Sequence, residues 1–300
     1  MKLVKLAFVQ FLLACPLFAQ QDPPPVFKLN VEVDLVELHV SVVDEKDRMV
    51  GGLLKEHFRI TENRVEHPIA VFKHEDIPVS LGLVIDNSRS IEPRKQRLDA
   101  AALAFVQKSN QEDETFVVHF DFDARLSQSF TGDERVLETV LAGTKPYGQT
   151  ALYDALILAL EQMEKAQYQK KAILVISDGL DNASKNTLAD AIEKIKQSRV
   201  AFYTVGLLSA GEGAKAEQDL LKIAEVSGGK AYFPQNEDEA RNMMERIARD
   251  LREQYTIGYF SSSARDGSWR SVRVEVKPPL GFPQKLSANY RHGYYGPGNN

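Results

Sequence analysis

Cysteine is almost missing from this 300-residue chain, and Cys15 is the single one. It lies in a leader where Lys2 and Lys5 precede a short apolar core, Leu6 to Leu13, and small Ala19 precedes polar Gln20. That pattern reads as an export signal, residues 1–19, cleaved after Ala19. Leu12-Leu13-Ala14-Cys15 also has the layout of a lipoprotein signal presenting Cys15 for acylation. The apolar core before Cys15 is short and Pro16-Leu17-Phe18 continues it, which favours soluble export. The cleaved chain then has no cysteine, which excludes disulfides, thiolate metal sites and cysteine nucleophiles. Long apolar runs are missing too: the leader falls short of the ~20 residues that span a bilayer, and no later segment is longer.

Other absences narrow the function. Removing Lys2 and Lys5 takes the 37 basic residues to 35 against 42 acidic, moving the formal charge from −5 to −7. No basic cluster stands out, which argues against a nucleic-acid partner. The histidines (His39, His57, His67, His74, His119, His292) include no i, i+4 pair to suggest zinc. No Gly-x-Ser-x-Gly elbow points to serine hydrolysis. Gly211-Glu212-Gly213 lacks the strand–glycine–helix context of a phosphate cradle.

What is present divides into three stretches. After a proline-rich lead-in at 20–26, the alternation Leu29, Val31, Val33, Leu35 flips phase to Val36, Leu38, Val40, Val42, predicting a strand with a bulge or a bend. With Phe58–Ile60 and Val65–Phe72, residues 27–77 read as all β. From Val79 apolar strand runs alternate with helical stretches. The strands expected are Leu81–Ile85, Phe116–Phe120, Ile173–Ile176, Ala201–Val205 and a weaker Ala231–Phe233. The helices expected are 94–109, 133–142, 151–166, 188–197, 216–226 and 237–253. That rhythm implies a doubly wound, mostly parallel sheet over residues 78–254, covered on both faces. Residues 255–293 return to strands, before a tail at 294–300. Neither β stretch buries enough alone, so the fold class expected is an α/β domain inserted into one discontinuous all-β, sandwich-like domain. Two unrelated β caps are the alternative.

Three loops carry hard oxygen donors at strand ends or helix starts. Asp86-Asn87-Ser88-Arg89-Ser90 follows the apolar run Leu81–Ile85 and sets a carboxylate and two hydroxyls at i, i+2, i+4. Gly148-Gln149-Thr150 precedes a helix that Thr150 is placed to cap, and Ser177-Asp178-Gly179 follows Ile173-Leu174-Val175. Each has a plain structural explanation as a cap or turn. Together they offer oxygen ligands suited to a small divalent cation, at the edge where open α/β sheets bind ligands.

The set Asp86, Ser88, Ser90, Thr150 and Asp178 closely resembles the metal-ion-dependent adhesion site of von Willebrand factor type A domains, over residues 78 to 254. Flanking segments such as Tyr255-Thr256-Ile257-Gly258-Tyr259 resemble those of a bacterial exported subfamily. The resemblance implies Mg²⁺, with Mn²⁺ or Ca²⁺ as alternatives, held by Ser88, Ser90 and Thr150. Asp86 and Asp178 would act directly or through water. It also implies a non-enzymatic protein-binding or adhesion role, in which an acidic side chain of the partner completes the coordination. Arg89, Tyr147, Gln149 and Asp181 form the expected rim, and Arg89 departs from the family's usual glycine. In integrin relatives the helix matching 237–253 shifts on ligand binding.

An enzyme is the rival reading. A dehalogenase-type phosphatase needs a second aspartate two residues after the first, and position 88 is serine. Asp121-Phe122-Asp123 has that spacing, but it follows the second strand and carries Arg125 where a small or β-branched residue is expected. A structural envelope component whose metal only stabilises the fold is the third reading. The expected protein is exported, to the periplasm, cell surface or medium, with no membrane span and no catalytic residue.

Overall fold

In a computed structural model, residues 34–298 are described except 111, 179, 209–212 and 283. The leader, the lead-in at 20–26, the alternation before Asp34 and the last two residues of the tail lie outside the described residues.

The first strands are β1 (Asp34–Val43), β2 (Phe58–Glu62), β3 (Val65–His67) and β4 (Ile69–Lys73). The α/β region follows with β5 (Val79–Asp86), a 3-10 turn (Arg89–Arg94), α1 (Lys95–Lys108), β6 (Glu114–Phe120), β7 (Ala124–Thr131), α2 (Glu134–Ala142) and α3 (Leu152–Met163). It continues through β8 (Lys170–Ser177), α4 (Leu188–Gln197), β9 (Ala201–Gly206), α5 (Ala214–Ser227), β10 (Ala231–Tyr232) and α6 (Glu237–Arg252). The chain closes with β11 (Tyr255–Ser261), β12 (Trp269–Val276), β13 (Ser287–Asn289) and β14 (Gly293–Tyr295).

The α/β sheet runs β10-β9-β8-β5-β6-β7, parallel except for antiparallel β7 at one edge. Every residue of β5 and β6 is buried, as strands covered on both faces require. Apolar side chains of α1, α2 and α6 pack on one face and those of α3, α4 and α5 on the other. Local signals set the helix ends. Asn236 caps α6 by accepting from Glu239 N at 2.9 Å, with Glu237, Asp238 and Glu239 in the first turn and Arg249 and Arg252 in the last. No helix among the described residues is long and apolar enough to cross a membrane.

The two β stretches build common antiparallel sheets. One runs β13-β1-β11-β4 and the other β14-β12-β2-β3, so each mixes strands from before and after the α/β region. Val36, Leu38, Val40, Ile60, Tyr255, Ile257, Tyr259, Val272 and Val274 share the core between them. The alternative of two unrelated caps is thereby excluded.

Three expectations need correction. No bulge forms at Leu35–Val36: β1 keeps an unbroken register with β11 from Asp34↔Ser261 to Val40↔Tyr255, and Leu35 lies beside Phe260 on the exposed side. Strand β7 was missed, because the largely exposed Ala-Arg-Leu-Ser-Gln-Ser-Phe-Thr lacks an apolar run and owes its shape to pairing with β6. The cap of α3 is Ala151 rather than Thr150.

Candidate metal centre

Strand order reverses at the middle of the α/β sheet. From β5 the sheet builds outward through β6 and β7, and from β8 through β9 and β10 on the other side. The crevice at the carboxyl edge of such a pair is the ligand-binding position of open α/β sheets. Asp86 ends β5 and Ser177 ends β8, so the pairing of these strands brings Asp86 and Asp178 to that crevice.

Asp86 is fully buried. Its Oδ1 accepts from Ser88 N at 2.9 Å and its Oδ2 accepts from the Ser177 hydroxyl at 2.6 Å. Burial, and after it the charge of neighbouring Asp178, push the Asp86 carboxyl up to about 6, against the pull of those bonds. Asp178 is also buried, and its Oδ1 has no hydrogen-bond partner. Its Oδ2 lies 3.8 Å from the Arg94 guanidinium, which also donates to the Ser90 carbonyl at 3.1 Å.

The hydroxyls are not spent on capping. Ser88 sits at the start of the 3-10 turn but makes no side-chain cap bond; its Oγ lies 2.9 Å from the Ser90 Oγ. Thr150 precedes the α3 cap by one residue, so its side chain is displaced from the capping role. Its backbone is held instead by Asn182, whose Oδ1 accepts from Thr150 N at 2.8 Å while Asn182 N donates to the Thr150 carbonyl at 3.0 Å. The loops are also joined to one another. Tyr147 N donates to the Asn87 carbonyl at 2.8 Å, Arg89 N to the Gly148 carbonyl at 3.3 Å and Asn87 Nδ2 to the Lys145 carbonyl at 2.9 Å.

The five expected ligand residues therefore meet at one sheet edge. Among the described residues no group of three or more His, Cys, Asp or Glu is placed to share a metal ion. The donor set is two carboxylates and three hydroxyls, which fits a small, oxygen-preferring divalent cation. Two adjacent buried carboxylates, one with an orphaned oxygen, are costly, and a bound cation would offset that cost.

Of the expected rim, Arg89, Tyr147 and Gln149 are exposed beside the crevice. Asp181, the fourth expected rim residue, is half-buried, and its oxygens accept from Tyr153 N at 3.1 Å, Ser184 Oγ at 2.5 Å and Ser184 N at 3.4 Å, so it pins its loop to α3. Tyr153 is packing, with its hydroxyl donating to Asp219 at 2.9 Å. Asp121 and Asp123 do not work as a pair, because Asp121 holds Arg125 at 2.6 Å while Asp123 is mostly exposed near Lys185. Sequence reasoning missed Ser177, Asn182 and Arg94. Ser177 was visible beside Asp178, but nothing in the chain order pointed Asn182 or Arg94 at the site.

The fold and this edge define a doubly wound α/β domain with an oxygen-lined crevice at its switch point. Residues 81–180 match the family model of the von Willebrand factor type A domain. Solved structures with the same fold include a von Willebrand factor type A protein from Catenulispora acidiphila. It is 13% identical, with 87% of this chain and 74% of that one covered at a TM-score of 0.54. Another is the vWF domain of the type V pili tip protein Mfa5 from Porphyromonas gingivalis, 16% identical, covering 59% and 97% at 0.51. The PilB minor pilin from Streptococcus sanguinis is 13% identical, covering 60% and 62% at 0.50. No curated protein sequence matches the chain.

Proposed function

We propose that the chain is an exported, non-enzymatic protein-binding module that grips an acidic side chain of its partner through a divalent cation, Mg²⁺ in the first instance. The observation that carries this reading is the orphaned, buried Asp178 Oδ1 beside the buried Asp86 carboxylate. Ser88, Ser90 and Thr150 would hold the cation directly, and Asp86 and Asp178 directly or through water. A set with only two carboxylates leaves a divalent cation free to accept another anionic oxygen, even on a chain of net charge −5. The loops are bolted together through backbone bonds, so the site is preorganised before a partner arrives. The match to the von Willebrand factor type A family supports a protein-interaction role, and the leader supports export.

The test is a pull-down from an envelope extract with Mg²⁺ and with EDTA, comparing wild type with Asp86→Ala. A partner retained by wild type in Mg²⁺ and released by EDTA or the substitution is the expected result. Retention that ignores both refutes metal-bridged binding. A loss of thermal stability in EDTA with association intact leaves the metal a purely structural part.

A further inference from the structure

Four large apolar side chains of the α/β region are exposed among the described residues: Phe122, Leu126, Tyr147 and Leu180. Three of them, Phe122, Tyr147 and Leu180, lie in the loops around the candidate metal centre, where folding alone gives no reason to leave them in water. Phe122 and Tyr147 are in edge contact, with ring centroids 5.7 Å apart. Phe122 packs against Gly148, where a side-chain carbon would stand only 2.5 Å from the ring. Gly148 is two residues from Thr150 and receives the Arg89 N–H, so the aromatic pair is seated directly against the ligand loops. Its backbone is fixed as well: Ala151 N donates to the Asp121 carbonyl at 2.8 Å. The exposed charges of segments 87–90 and 144–150 are Arg89 and Lys145, both positive on a net negative chain.

We propose that Phe122 and Tyr147 form an apolar subsite beside the metal position, so that the partner presents an acidic residue adjoining an aromatic or branched apolar one. The cation takes the carboxylate, Arg89 and Lys145 favour its approach, and the neighbouring apolar side chain covers the two rings. This rests on the metal-bridged reading above. It adds to that reading a rule for which acidic residues are accepted.

The test uses synthetic hexapeptides tethered to a biosensor surface. Their central pair is Phe-Glu, Glu-Phe, Ser-Glu or Phe-Gln between Gly and Ser, and the full chain is passed over them in Mg²⁺ and in EDTA. Wild type is expected to bind the better of the two Phe and Glu peptides about tenfold more tightly than Ser-Glu, the scale of one aromatic contact with its burial. Tyr147→Ser and Phe122→Ser should erase that advantage while keeping the Mg²⁺-dependent rise in melting temperature, which shows an intact metal centre. Equal, Mg²⁺-dependent binding of Ser-Glu overturns the apolar subsite and leaves the metal reading standing. EDTA-insensitive binding of Phe-Gln overturns the metal reading. No binding of any peptide overturns both.

Discussion

Asp178→Asn should change sign with the metal. Without a divalent cation, Asp86 and Asp178 are two buried carboxylates in one crevice, and the Asp86 carboxyl sits at about 6 rather than 3.8. A shift of that size corresponds to about 3 kcal/mol for holding Asp86 ionised at neutral pH. Burial is the larger cause and the Asp178 charge the second. Neutralising Asp178 should therefore return about 1 kcal/mol. The contact it gives up, to Arg94 at 3.8 Å, is longer than a hydrogen bond and is the weaker of the two effects on this carboxylate. In EDTA at neutral pH the variant should unfold at a higher urea concentration than wild type. With Mg²⁺ at a hundredfold excess over its dissociation constant, wild type should gain about 2.7 kcal/mol and the variant far less, so the order reverses. Urea midpoints with and without Mg²⁺ measure all four states. A variant less stable than wild type in EDTA, or one that keeps the full Mg²⁺ gain, would sink the reasoning.

Two further outcomes test the fold around the site. His119 is fully buried, and burial, followed by the charges of Arg125 and Lys95, holds its imidazole down at about 4. The unfolded chain takes up this proton near 6.5 and the native one only near 4, so stability present above pH 6.5 is lost as the pH falls. Wild type should lose about 2 kcal/mol more than His119→Gln between pH 7 and pH 5, and equal losses in acid titrations would count against it. In the β domain, buried Glu62 accepts from the hydroxyls of Tyr259, Ser261, Ser263 and Tyr294. Glu62→Ala should cost at least about 3 kcal/mol by urea denaturation, because it strands four donors together.

Much of the site was legible in the chain order. Asp86, Ser88 and Ser90 are neighbours, and their place after an apolar run is enough to set them at a strand end. Thr150 and Asp178 joined them through their places at a helix start and a strand end and through a family pattern, and the strand pairing of β5 with β8 is what puts the two aspartates in one crevice. The bonds by which Asp181 holds Tyr153 and Ser184 were not legible, because they belong to a loop closure that spacing does not reveal. β7 was missed for the complementary reason: its conformation comes from a neighbour rather than from its own residues.

The sequence by itself determined the alternation of buried strands and amphipathic helices, the hard-oxygen chemistry of the loops and the near-absence of cysteine, with Cys15 alone. These follow from residue type and period, which act over a few positions. Only the tertiary structure decided that β1 pairs with β11 and β2 with β12. It alone left Asp178 Oδ1 without a partner and Thr150 free of the α3 cap, and it alone set Phe122 and Tyr147 beside the crevice. Those outcomes depend on which distant segments meet, and burial and hydrogen-bond satisfaction settle that for the whole chain at once.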